Sequence, residues 1–409
     1  MNKRRRSLEL LWQIPVACFI LAGLTGFIYR LGLIGTDLWG LSIENIRHAH
    51  SHLMFFCWAV PLPMYFMIHK VNREIRDTGP NILMTRMALG SLFLGLASYP
   101  FFLFYGYRPV LLAGMDLPAS VILSGLVMLC WYGFMAGYWK ERKYIDSDLA
   151  MTFYDASLLM LFVSSLGAWG VAAVQFAGLE NPLFGKALTH FFLATFTEGW
   201  IVTVLLGIVY DQFRVELKNV RIAPGLLAGL ILFGAPLTFP YGISESLLTT
   251  QLLLAARLGG LLAAVGLALN LYVIIRQADI KIAWYWKLVL GLLALKVVAQ
   301  TLASVLPSEF WMSAHGLRIF YLHLLLLGAF TLGLFSRLLI DERALPGLRA
   351  VSVSVILVLI SLLWLTPLWP PAWHSGWQFY ATAIIAILPS VAAAYYYVLL
   401  PEQSTGSRE

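Results

Sequence analysis

Six of the eight histidines in this chain of 409 residues fall at three places: His48, His50 and His52 together, His190 alone, then His315 and His323. Neutral imidazole is a good ligand for iron, copper, zinc and nickel, so such grouping raises the question of a bound metal or haem. His52 and His323 share more than their type. Arg47 and Arg318 stand before them in the same R-x4-H-L pattern, followed by bulky apolar residues and then a small one, Cys57 or Gly328. On a helix this spacing sets each guanidinium about 7–8 Å above its imidazole. A haem held edge-on between two helices needs an imidazole on each face of the iron and cations at its propionates. His52, His323, Arg47 and Arg318 are therefore the expected haem-binding residues, with Cys57, Gly328 and Ala329 expected to leave room for the macrocycle.

The same stretch offers a second site. At about 100° per residue, His48 and His52 share a face while His50 points to nearly the opposite side. His48, His50, His190 and His315 are thus candidate ligands for a further metal, copper or non-haem iron. Glu198, about 12 Å along a helix from His190, and Lys296 are candidates for a proton path, since ionisable groups inside a membrane are expensive and usually functional. Against this stands the ordinary fate of such residues, a hydrogen bond between helices or a snorkelling cation. Asp155, His69 and His374 are read in that ordinary way.

The elements that must position these residues are membrane helices. Hydrophobic residues make up 60% of the chain and charged ones 12%, with a mean hydropathy of +0.79. Apolar runs fall at about 9–33, 46–68, 81–106, 117–138, 150–177, 186–210, 221–241, 250–275, 284–305, 314–337, 350–368 and 377–400. About 20 apolar residues span a bilayer, and a spanning segment must satisfy its own backbone, so the expectation is an all-α, polytopic bundle of about twelve helices forming one membrane domain, 1–409. The first run is too long for a signal peptide and is expected to remain as a span. Of the 28 Lys and Arg, five lie within spans (Arg86, Arg257, Lys287, Lys296, Arg318) and four in one set of loops (Arg30, Arg47, Arg108, Lys186), leaving nineteen in the other set. That bias predicts N- and C-termini in the cytoplasm, in a bacterial-type inner membrane, and makes the net charge of +7 a matter of topology rather than of nucleic-acid binding. The histidines of the second, sixth and tenth segments then all fall in the outer half. The three cysteines lie apart with no CxxC pair, which excludes covalent haem attachment through CxxCH. Walker A, HExxH and GxSxG motifs are absent.

With its twelve segments and histidines on the second, sixth and tenth, the chain resembles subunit I of the haem-copper oxidase superfamily, which includes nitric-oxide reductases. The resemblance covers the whole chain in topology. It implies His52 and His323 as ligands of a low-spin haem of the b type, and His190 as a ligand of copper or non-haem iron. It also implies electron delivery from quinol or cytochrome c, with further subunits as partners beside the lipid bilayer. The seventh segment carries no histidine and Ala194 stands where the family's helix-6 motif has a tyrosine, so oxidoreductase activity of the oxidase or nitric-oxide reductase type is left open. Two other readings fit the same residues: a transporter lined by His, Glu and Lys, and an assembly or sensor relative of the oxidase fold.

Overall fold

The structure, a computed structural model, describes residues 3–75, 81–112, 114–178, 181–216, 220–277, 282–308 and 314–400. Among the nineteen cations counted above, Arg76, Lys218, Lys281 and Arg408 lie outside these residues. Eleven helices are long and apolar enough to cross a membrane. They are α1 (Lys3–Leu33), α2 (Ile43–Glu74), α3 (Ile82–Tyr105), α4 (Ala119–Arg142), α5 (Leu149–Phe176), α6 (Leu183–Phe213), α8 (Thr250–Gln277), α9 (Trp284–Val305), α10 (His315–Leu338), α11 (Glu342–Leu363) and α12 (Trp377–Leu399). The protein is an all-α, multi-pass membrane protein. The seventh expected span is shorter than the rest. Its helix α7 (Pro224–Leu237) has 14 residues, about 21 Å of rise. Pro236 and Pro240 withhold backbone donors there, and the chain passes into a 3-10 turn over Phe239–Gly242. The only strands among the described residues are β1 (Val110–Leu112) and β2 (Met115–Leu117), an antiparallel hairpin between α3 and α4.

The three histidine-bearing helices form the centre. Their apolar windows are 78% (α2), 89% (α6) and 61% (α10) buried, against 33–56% for the other spans. Each also contains a π-helical stretch, at Met54–Ala59, Thr195–Ile201 and Leu324–Phe330. A π-turn widens the helix and disturbs its hydrogen-bond ladder, so freed groups need new partners. In α2 the ordinary donor to the Ala59 carbonyl would be residue 63, a proline with no N–H; Trp200 of α6 donates its indole N–H to that carbonyl instead, at 3.0 Å. In α10 the Thr331 hydroxyl donates to the Leu326 carbonyl at 2.8 Å and accepts the indole N–H of Trp58 at 3.2 Å. The irregular turns thus bond the central helices to one another.

The two halves of this core are packed differently. Residues 56–68 and 195–211 are buried throughout, as are seven of the eight residues of Thr331–Leu338. Toward the histidines the packing opens: no residue of 183–193 is fully buried, and none of His315–His323.

Candidate functional site

His50 lies on the side of α2 that packs against α1. Its Nδ1 is 2.7 Å from the Ala22 carbonyl, and Gly26 sits flat against the imidazole, where any Cβ would crowd the ring. On α10, His323 Nδ1 is 2.8 Å from the Ile319 carbonyl. Both Nδ1 atoms therefore carry the proton to a backbone acceptor, which leaves both Nε2 atoms with a free lone pair. This is the tautomer that a metal-ligating imidazole needs, fixed by the partner of its other nitrogen. His50, His323 and the Arg30 guanidinium of α1 lie within electrostatic range of one another. Both imidazoles lie deep within the protein, and each keeps some accessible surface.

The expected pair of His52 with His323 is not formed. His52 turns toward α3, where it stacks on Phe102 with centroids 3.8 Å apart and its Nε2 lies 3.0 Å from the Tyr107 hydroxyl. The two-residue step from 50 to 52 rotates a side chain by about 200°, and α1 and α10 lie on the His50 side. Nor do the R-x4-H arginines sit over their histidines. Five residues correspond to about 140° of rotation, so each Arg enters a neighbouring sector. Arg47 pairs with Glu44 at 3.4 Å, and Arg318 reaches the Gly242 carbonyl at 3.5 Å. Arg30 is instead the cation within electrostatic range of both His50 and His323, and His315 lies in range of Arg30, Arg47 and Arg318. The small residues expected to make room also face elsewhere: Cys57 contacts the Leu92 carbonyl, and Gly328 packs toward Leu359 and Leu292.

A second metal site built from His50, His190 and His315 is likewise not assembled. His190 lies against Gly242, in range of Arg318 and Lys186, while His50 faces α1. Among the described residues no three His, Cys, Asp or Glu side chains form a ready cage for a metal ion.

Glu198 and Lys296 do meet. Lys296 donates to Glu198 Oε2 at 2.7 Å, Gln300 donates to the same oxygen at 3.1 Å, and Tyr321 of α10 donates to Oε1 at 2.8 Å. With Glu198 7% and Lys296 1% exposed, this is a buried ion pair joining α6, α9 and α10. Every partner is satisfied within it, so it clamps the three helices together. A second clamp lies at the opposite end of the core. Asp211 of α6, 4% exposed, meets Arg73 and Lys70 of α2 and Arg337 of α10. It borders a cleft of about 660 Å3 that also exposes Asp148 and Arg214. Asp155 is held by Arg142 and Tyr138, the ordinary role expected of it.

No protein-family model matches the chain, and no curated protein matches its sequence. Arg30, Gly26, Tyr107, Tyr321, Gln300 and Asp211 escaped the sequence reading. Only Asp211 carried a usable signal, an acid at the end of a long apolar run.

Proposed function

We propose that this protein is a haem-binding membrane redox protein in which His50 and His323 hold a b-type haem. The observation that carries the reading is the matched pair of imidazoles from two central helices, each with Nδ1 tied to a backbone carbonyl and Nε2 free, within electrostatic range of one another. The residues present fit such a group. Arg30 would be the cation to meet a propionate, Gly26 lets the His50 ring lie close to α1, and the less tightly packed half of α10 would take the macrocycle beside it. Bound there, a bis-imidazole haem supplies one-electron transfer. The chain's own part is to fix both imidazole tautomers, to hold a cation at the acidic edge and to keep the pair enclosed by apolar helices. The lysine and arginine bias supports an outer-face position for this half of the bundle, and the resemblance to oxidase subunit I supports quinol or cytochrome c as electron donor.

The test is the optical spectrum of the full chain purified from haem-replete cells. The expected result is a Soret band with the narrow α-band of a six-coordinate haem, lost in His50→Ala and in His323→Ala and retained in His52→Ala. A preparation without a Soret band overturns the reading, as does loss of the band with His52 and not with His50.

A further inference from the structure

A separate cluster lies at the histidine end, between α2 and the turn after α3. Glu44, His48 and His52 follow one another at intervals of four residues and so form a stripe along α2. His48 Nε2 is 3.7 Å from Glu44 Oε1, and His52 Nε2 is 3.0 Å from the Tyr107 hydroxyl. The Tyr107 ring also packs edge-on against His48, with centroids 4.8 Å apart. The turn is anchored so that the phenol reaches over this stripe: Asn45 donates to the Phe104 carbonyl at 3.2 Å and Ser120 to the Gly106 carbonyl at 2.7 Å. Gly106 has φ +62° and lies against Asn45, a place where only glycine fits.

We propose that His48, His52 and Tyr107, with Glu44 as fourth ligand, form a site for a divalent transition ion of the copper(II) or zinc(II) type. Two histidines one turn apart are a bidentate clamp for such ions, and phenolate and carboxylate oxygens complete a mixed N/O set. The spacing fits. Ligands about 2.0–2.1 Å from one ion lie about 2.9–3.4 Å from each other, and the His52–Tyr107 separation of 3.0 Å already falls in that range. The ion takes the place of the proton in this hydrogen bond, releasing it to solvent, and the phenolate and carboxylate together balance its two charges. Glu44 must leave Arg47, an exposed ion pair at 3.4 Å, and that is a small cost. Glu44, His48 and His52 do not already converge on one point, so binding requires the His48 imidazole to turn from Glu44 toward His52 and Tyr107. The site faces the mouth of the bundle, where Glu44 and Tyr107 are exposed, so ions reach it directly. It uses none of the haem ligands and stands independently of the haem reading.

The experiment is a titration of the detergent-purified full chain, stripped with chelator, with Cu(II) followed by electron paramagnetic resonance, and with Zn(II) as competitor. The expected result is one ion per chain with nitrogen hyperfine structure and a phenolate-to-copper charge-transfer band. His48→Gln and His52→Gln each weaken binding about 10–100-fold, and Tyr107→Phe removes the charge-transfer band. His50→Gln leaves affinity unchanged while removing the Soret band, which separates failure at this site from failure of the haem site. A chain that takes up no stoichiometric copper, or binds it equally well after both His48→Gln and His52→Gln, overturns the proposal.

Discussion

Replacing Lys296 by Met is the most informative perturbation of the core. It removes the ammonium from a pocket where Glu198 Oε2 has only Gln300 left to bond, while Tyr321 stays on Oε1. Breaking a buried ion pair from one side costs about 3–5 kcal/mol, because the surviving charge stays desolvated. The Gln300 and Tyr321 bonds remain, each a charge-assisted bond worth about 1.5–3 kcal/mol, so the loss is expected near the lower end, about 3 kcal/mol. Glu198→Gln should cost a similar amount. The double variant Glu198→Gln, Lys296→Met removes both charges and should recover about 2–3 kcal/mol relative to the sum of the single losses. The assay is a double-mutant cycle on unfolding in mixed micelles, followed by tryptophan fluorescence. Additive losses, or single losses below about 1 kcal/mol, would show that the two groups are not a desolvated pair and would refute the clamp.

Asp211→Asn should loosen the opposite end of all three central helices by about 3 kcal/mol, measured in the same way, because Arg73 and Arg337 lose a common carboxylate. Trp200→Phe leaves the Ala59 carbonyl without its donor inside the bundle, and should cost about 1–3 kcal/mol in the same unfolding assay, with the fold retained by circular dichroism. Gly106→Ala forces a Cβ into a positive-φ position against Asn45, and should destabilise the turn by about 1–3 kcal/mol, seen as faster protease cleavage between α3 and α4.

The bundle itself was plain in the sequence because a bilayer demands long apolar segments with internally bonded backbones, and α2, α6 and α10 stood out by their histidines. What stayed hidden was angular. A strict 100° step correctly separates His50 from His52, but nothing in one chain says which side of α2 meets α1. The R-x4-H repeat drew attention to the right helices for a geometric reason that fails at about 140° of rotation. Arg30 looked like a loop cation because its partners come from two other helices, 20 and 293 residues further along. Glu198 and Lys296 were legible as costly residues, but not as each other's partners, being 98 positions apart. The seventh span was overestimated because hydropathy does not register that Pro236 and Pro240 stop a helix.

The unequal packing of the central helices has an electrical consequence. The sealed stretches 56–68, 195–211 and Thr331–Leu338 form a low-dielectric slab, and a transmembrane voltage falls mainly across such a slab. The less tightly packed, histidine-bearing end lies on one side of it. An elementary charge carried through the slab would exchange about 2.3 kcal/mol per 100 mV with the membrane potential, whereas a charge that enters and leaves at the histidine-bearing end exchanges little.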